Sequence, residues 1–415
     1  MKNTMSKSKL NIKYVLASIF IGAVVGFLYL VFEWVVNNGT NWLWNDLVES
    51  DTFRWRVIPL AIIMSIILSA VVLFFKKNRL QKTSTNLLDE LNDIKPTKIS
   101  DILVILVIGA LSLIAGASLG PEASLVAASL GVTAWLSGKM KILKEPTAFV
   151  FGIASIGALL AAFFNSLLPV VIPILILKQK GKLDLNGLLI SVFAGVSAWG
   201  IVRVIKDEAY IQLPVSGTFS ITNTALAFLL GFVSILLALI IKWLIHLLHK
   251  PVSQTINKIH WLISAGLIGL LLGVLYFIGG QTVQFSGSEG LVLLEENILT
   301  YSALALLGLV VVKIFATVWS TITGYRGGLV FPSIFMGMSL SLAFSTIFGL
   351  SGSNEAGVVI GSVTGILMAM VNPIVGVVLA FALFPLNLIS VVIGGAIGSF
   401  VAIKIFAKFN PPVKS

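Results

Sequence analysis

The sequence contains no cysteine and only three histidines, His246, His249 and His260, among 415 residues. The first absence excludes disulfides, thiolate metal sites and cysteine nucleophiles. The second leaves too few imidazoles, too poorly grouped, for a histidine-rich metal site, so no metal and no cofactor are expected. Charge is scarce as well: Asp, Glu, Lys and Arg make up 11% of the chain, against roughly a quarter in soluble domains. What is there instead is apolar. Hydrophobic residues account for 57% and the mean hydropathy is +1.03. They gather in long runs at 14–36, 57–75, 102–119, 224–241 and 302–318, each close to the ~20 residues that span a hydrocarbon core. The fold class read from this pattern is all-α: a polytopic membrane protein, with the lipid bilayer as its solvent.

The net charge of +11 would suggest nucleic acid on a soluble chain. Here the basic residues sit in short loops. Lys2, Lys7, Lys9 and Lys13 precede the first run, and Lys76, Lys77, Arg79, Lys82, Lys95 and Lys98 lie between the second and third. The loop between the first and second runs carries Asp46, Glu49 and Asp51. Lys and Arg are retained on the cytoplasmic side, which places the N-terminus in the cytoplasm and loop 37–54 outside. Charge therefore reports topology, and no nucleic-acid partner is expected. The first run has no small-residue cleavage site after it and reads as a retained span.

No stretch resembles a soluble domain, so residues 1–415 are read as a single transmembrane domain. It looks built twice. Gly22 and Trp34 recur as Gly231 and Trp243 at an offset of 209. Residues 157–165, GALLAAFFN, resemble 365–372, GILMAMVN, and their asparagines, Asn165 and Asn372, stand 207 apart. Gly120 precedes Gly327 by 207. The repeats run from about 12 to 205 and from about 218 to 407. Repeated halves characterise transporters and related channels, whose substrate site lies between them. Several segments (123–137, 146–164, 166–177, 333–349 and 355–371) are short or interrupted by Gly and Pro. Unpaired backbone at membrane depth is tolerated only around a buried site or a water-filled cavity. The breaks locate the site.

Two loops carry the chemistry. In Gly116-Ala117-Ser118-Leu119-Gly120-Pro121-Glu122-Ala123-Ser124 a helix ends in a Gly-Pro turn and another begins. Pro121 and Glu122 fall in the first turn, where free N–H groups and the helix dipole favour negative charge. Such amides hold an anion without a full positive charge. Glu122, itself an anion, competes for them, so protonating it or swinging it aside opens the site; the plainer alternative is a helix cap. In Gly324-Tyr325-Arg326-Gly327-Gly328-Leu329-Val330-Phe331-Pro332 three glycines end a helix at about Thr323 and a new one starts near Ser333. Arg326 either attracts anions or pairs with a carboxylate or snorkels. Phe331 reads as packing or as pore wall. A third pair of breaks, Asn165-Ser166-Leu167-Leu168-Pro169 and Val371-Asn372-Pro373, reads first as packing kinks closed by the asparagine side chains.

The Gly-x-Glu loop near residue 120, the Gly-Gly-x-x-x-Pro loop about 207 residues later and the stretch LAAFFNSLLPVVIPILIL together resemble the CLC family of chloride channels and chloride/proton antiporters. The likeness covers nearly all of 10–405 and is nearest to divergent bacterial members that read LGPE and GxRGGxxFP and lack cytoplasmic CBS domains. It implies an inverted-repeat fold with many tilted and broken helices, a homodimer with one pore per subunit, and the bacterial cytoplasmic membrane. It makes Glu122 the gating residue. It makes Gly120, Pro121 and Ala123 one half of the anion site and Gly328, Leu329, Val330 and Phe331 the other. The family's second, inward-facing glutamate would fall near Ile176 or Leu177, which are apolar. No tyrosine follows Tyr325, and Ser84 in Thr83-Ser84-Thr85 is a poor match to the family's serine loop.

The expected function is transmembrane passage of chloride or a similar small anion, by passive conductance. Chloride/proton or fluoride/proton exchange is the alternative on the same fold, with protons then a second partner. A membrane-embedded enzyme is the alternative from another class. No paired intramembrane aspartates, HExxH motif or serine–lysine dyad stands out for it, so enzymatic activity is not expected.

Overall fold

The computed structural model describes residues 12–45, 51–76, 98–139, 147–181, 183–206, 213, 215–296 and 300–407. Lys2, Lys7, Lys9, Asp46, Glu49, Lys77, Arg79, Lys82, Ser84, Lys95, Lys141 and Lys144 lie outside them. The described chain is helical. Its elements begin with α1 (Ile12–Thr40), α2 (Val57–Lys76), α3 (Ile99–Ile114), α4 (Glu122–Lys139) and α5 (Thr147–Phe163). They continue with α6 (Val171–Gln179), α7 (Leu185–Ile205), α8 (Ile221–Lys258), α9 (Trp261–Gly279) and α10 (Ser288–Glu296). The last five are α11 (Ala303–Ile322), α12 (Val330–Phe348), α13 (Gly352–Met370), α14 (Pro373–Leu383) and α15 (Ile389–Ile405). Among the described residues nine helical segments are long and apolar enough to cross a membrane, while α3, α4, α5, α6 and α14 are shorter. The only extended pairing among them is a single bridge, Gly120 with Gly328. The all-α polytopic reading holds.

Several element ends differ from the hydropathy pattern. α1 runs to Thr40 and a helical turn continues it over Asn41–Asn45, so the expected loop 37–54 is helical over its first part, and α8 runs to Lys258, well past residue 241. The apolar run 102–119 stays helical only to Ile114, and the chain turns at Gly116, whose φ is 96°. Hydropathy reports burial, and Ala115, Ala117 and Leu119 are buried without being helical. α12 begins at Val330 rather than near Ser333. Pro332 then falls in the first turn, where its missing N–H costs nothing.

The chain forms two compact units, interleaved in sequence: Met1–Trp34, Asn86–Val107 and Ser124–Gln212 in one, Val35–Thr85, Ile108–Ala123 and Leu213–Ser415 in the other. In the first, α5 packs on α6 and α7, Tyr29 stacks against Phe163 at 4.7 Å, and Lys206 pairs with Glu33 at 2.5 Å. In the second, α13 packs on α8, α12 and α15, α11 lies on α9 and α12, and α2 lies on α9. α12 and α13 are buried on nearly every side. Outward faces elsewhere carry Phe27, Trp34, Phe74, Phe228, Trp243 and Ile397, a surface that only lipid or another apolar partner covers without penalty.

Without a hydrophobic drive between spans, close contact comes from small residues. A Cβ on Gly22 would overlap the Ala194 carbonyl inside the first unit, and one on Gly231 would overlap the Gly395 carbonyl inside the second. Gly231→Val therefore pushes α8 off α15, at a cost of about 1–3 kcal/mol for an overpacked contact. The expected readout is a lower thermal midpoint in detergent, and an unchanged midpoint would show that this contact relaxes freely.

Candidate functional site

The site lies inside the second unit and is assembled from two chain breaks. In the first, α3 ends, Gly116 turns the backbone, and residues 117–121 lead through two bends and a turn to α4. In the second, α11 ends at Ile322, Thr323 caps it by donating its N–H to Trp319 O, and Gly324 turns at φ 91°. Buried backbone of this kind must find partners. Gly120 N–H donates to Gly328 C=O and Gly328 N–H donates to Gly120 C=O, both at 2.8 Å. Ser118 N–H donates to Ser320 Oγ at 3.0 Å, and the Ser118 and Thr317 hydroxyls share a hydrogen bond at 3.1 Å. Arg326 N–H donates to Ser112 Oγ at 2.7 Å. Each contact ties one break to the other.

The bridge delivers Glu122 to the start of α12. Its carboxylate Oε1 accepts the Val330 N–H at 2.7 Å, and the side chain is 2% exposed. Oε2 is buried and has no hydrogen-bond partner. A carboxylate at a helix N-terminus is held by unsatisfied N–H groups and the dipole. The two bridging glycines make the room. A Cβ on Gly328 would overlap the Glu122 carboxyl, and one on Gly120 would overlap Oε2 and crowd the Phe331 ring at 2.5 Å.

The structure thus brings Gly120, Pro121, Glu122, Gly328, Val330 and Phe331 together, with Ala123 next in α4 and Leu329 ahead of α12. Their amides have different fates. Those of Gly120 and Gly328 are spent on each other, that of Val330 is taken by Glu122, and Pro121 has none. Phe331 is buried beside Gly120, while the Arg326 side chain is half-buried. Asn165 adopts φ 43° after α5, and Asn372 caps α14 by accepting the N–H groups of Ile374 and Val375.

Several residues of this unit escaped sequence reasoning. Tyr276 is fully buried; its hydroxyl donates to Gly116 O at 2.6 Å and accepts Phe285 N–H at 3.1 Å. Trp44 donates from Nε1 to Ile114 O at 2.8 Å. Lys313 is fully buried in α11, where Nζ donates to Val283 O at 2.9 Å and Phe285 O at 2.6 Å and sits 5.1 Å from the Phe335 ring centroid. Lys313 was visible as the lone charge inside the run 302–318, and an intramembrane ionisable residue is a functional flag. Tyr276 and Trp44 gave no signal, because an aromatic residue in an apolar run looks like packing. Lys313→Met leaves two buried carbonyls without their donor, at about 1–3 kcal/mol. We expect a lower thermal midpoint in detergent, with Lys313→Arg recovering part of it; equal midpoints for Met and wild type would show the bonds to be dispensable.

Residues 86–404 match the family model of the voltage gated chloride channel. Among curated proteins, the "Putative ion-transport protein YfeO" of Escherichia coli O127:H6 is 24% identical over 251 residues, 60% of this chain and 58% of that protein. YfeO of Shigella boydii serotype 18 is 23% identical over the same length. The chain thus spans under two thirds of the curated relatives it matches. In three dimensions it resembles a slow cyanobacterial Cl−/H+ antiporter, with TM-score 0.76, 17% identity and 96% of each chain covered. A CLC-type fluoride/proton antiporter gives TM-score 0.74 and 17% identity, covering 94% of this chain and 95% of that one. A eukaryotic CLC transporter gives TM-score 0.69 and 12% identity, covering 97% and 73%. At these identities the structural likeness speaks for the fold, and the family model covers well over half of the chain: the protein is a multi-pass membrane protein that belongs to the voltage-gated chloride channel, or CLC, family.

Proposed function

We propose that this protein passes chloride or a similar small anion across the membrane through the paired breaks, with Glu122 as the gate. The supporting observation is the carboxylate of Glu122 on the Val330 amide at the start of α12. A group that already holds a carboxylate oxygen is a place for a halide, and the two compete for it. When Glu122 is protonated or swings away, the Val330 amide turns to the anion, with Leu329, Phe331 and Ala123 around it. Arg326 biases anions toward the loop. The Gly120–Gly328 bridge keeps the two breaks in register, so Gly120, Pro121 and Gly328 act by shaping the site.

We favour passive conductance. The family resemblance puts a second, inward-facing carboxylate near Ile176 or Leu177, and both of these are buried and apolar. Proton-coupled exchange of chloride or fluoride is the second reading, favoured by the antiporters among the structural neighbours. We further propose a homodimer in the bacterial cytoplasmic membrane with the N-terminus inside. The halves 12–205 and 218–407 act as the repeats that each supply one break.

Proteoliposome flux of chloride and of fluoride, with proton movement recorded alongside, tests the reading. Neutralising Glu122 frees the amide, so flux rises as pH falls, by up to about tenfold per pH unit while the carboxylate is mostly ionised. Glu122→Gln should give high flux that no longer depends on pH. A folded Gln variant with wild-type rate and wild-type pH profile would reduce Glu122 to a cap. Uphill proton movement driven by a chloride gradient would replace conductance with exchange, and a strong fluoride preference would change the anion.

A further inference from the structure

α8 is longer than the layer it crosses. Its 38 residues span about 57 Å, against a hydrocarbon core of about 30 Å. Its partners inside the second unit stop early. Gly357, Gly361 and Gly365 of α13 pack on Asn223, Ala227 and Gly231, a constant register that brings Met370, the end of α13, level with Leu236. Phe406, just past α15, meets the Phe232 ring at 6.0 Å. From Lys242 to Lys258 the helix therefore runs on beyond both. α9 then returns beside α2: Gly273 packs on Ile58 and Gly269 on Ala61 and Ile62, so these two helices are antiparallel. The turn between α8 and α9 accordingly lies at the end of the unit where α2 finishes and the basic connector begins, the cytoplasmic end by its charge.

The projecting segment carries charge of one sign. Between Glu208 and Glu289 there is no acidic residue, and every basic side chain of that stretch, Lys242, His246, His249, Lys250, Lys258 and His260, falls in 242–260. All the histidines of the chain are among them. His246, His249 and Lys250 stand at i, i+3 and i+4, so they share one face of the helix, and all three are exposed, while Ile241 and Ile245 are buried. Lys258 and His260 are exposed at the turn. His260 Nδ1 accepts the Leu262 N–H at 3.4 Å, which leaves Nε2 to carry the proton of a neutral ring. Thr255 Oγ1 donates to Pro251 O and Ser264 Oγ to Ile256 O, both at 2.9 Å, and these bonds fix the turn. Among the described residues neither Lys250, Lys258 nor any histidine has a carboxylate partner. Trp243 and Trp261, 54% and 40% exposed, flank the group, and such amphipathic rings settle at headgroup depth.

We propose that this face docks anionic phospholipid headgroups of the cytoplasmic leaflet, with Lys250, Lys258 and the histidines on the phosphate and Trp243 and Trp261 setting the depth. A phosphodiester oxygen accepts hydrogen bonds from ammonium and imidazole N–H groups, and those to charged donors are the strong ones. A negatively charged leaflet also attracts basic segments lying near its surface. The acid-free run on either side matters as much as the cations, because a carboxylate on this face would both repel the lipid and take its place. The site is separate from the paired breaks and does not depend on what passes through them.

The test uses the full chain in vesicles of phosphatidylcholine with a fixed fraction of phosphatidylglycerol, one lipid or the other carrying bromine on its acyl chains. The share of tryptophan fluorescence lost in Trp243→Phe/Trp261→Phe reports the lipid beside the turn. Brominated phosphatidylglycerol should quench that share well beyond brominated phosphatidylcholine at equal mole fraction. Lys250→Gln and Lys258→Gln should each lower the preference by up to about fivefold, His246→Gln/His249→Gln should lower it as well, and Lys250→Arg should keep it. Lys404→Gln, which removes an exposed cation at the end of α15, should leave it unchanged. Equal quenching by the two lipids, a preference that survives Lys250→Gln/Lys258→Gln, or one that falls as far in Lys404→Gln overturns the proposal. So does its displacement by glycerol 3-phosphate, which would assign the face to a soluble phosphate ligand. A lower thermal midpoint of Lys250→Gln/Lys258→Gln in detergent, without any lipid preference in vesicles, would give the face to another segment of this chain and defeat the proposal equally.

Discussion

The mutual hydrogen bonds between Gly120 and Gly328 are the constraint on which the centre of the second unit depends. Two helices end and two begin among buried residues, which strips several of them of helical hydrogen bonds. The bridge satisfies four backbone groups with four. It works only because neither residue carries a side chain: the space a Cβ would fill is the space the Glu122 carboxyl occupies. The same two positions therefore close the backbone account and house the acidic group. The side-chain hydroxyls of Ser112 and Ser320 complete it by taking the Arg326 and Ser118 amides.

Around this centre the second unit is braced by polar bonds rather than by apolar packing alone. Lys313 fixes the carbonyls of Val283 and Phe285; Phe285, in turn, gives its N–H to Tyr276, whose hydroxyl holds Gly116. Phe285 is one of two described non-glycine residues with positive φ, at 52°. A left-handed phenylalanine persists only where its surroundings over-determine it, and here both its N–H and its carbonyl are held. The chain of bonds ends on the glycine that turns the polypeptide toward Glu122. A cation inside a span is costly, and three acceptors (two carbonyls and the Phe335 ring face) offset that cost without a carboxylate to neutralise it.

Much of this was legible in the sequence, for identifiable reasons. Spans are set by one solvent property, so runs of apolar residues located α1, α2, α8 and α11, although α8 continues through polar residues to Lys258. Gly-Pro and Gly-Gly punctuation marked both breaks, and a single acid beside one of them singled out Glu122. Pairings were harder. The sequence offset sets Gly120 against Gly327, yet the bridge forms with Gly328, because pairing geometry is settled by the three-dimensional approach of the loops. Which amides remain open was likewise invisible: a list of residues around a loop does not say that Gly120 and Gly328 consume each other's N–H. Tyr276 and Trp44 act through a single polar atom on an apolar body, and hydropathy counts only the body.

The position of Glu122 has a thermodynamic consequence for the proposed gate. One amide hydrogen cannot serve a carboxylate oxygen and a halide at once, so binding of the two is linked and the linkage is reciprocal. Whatever weakens the carboxylate's hold on Val330 strengthens the anion's apparent hold by up to the same factor, and the carboxylate disfavours the anion as much as the anion disfavours the carboxylate. Oε2 makes the balance fine, since the oxygen that has no partner contributes desolvation cost without a compensating hydrogen bond. An acid held by both oxygens would be a permanent cap. Held by one, the side chain makes a single hydrogen bond, to Val330, and that bond is separate from the glycine bridge beneath it.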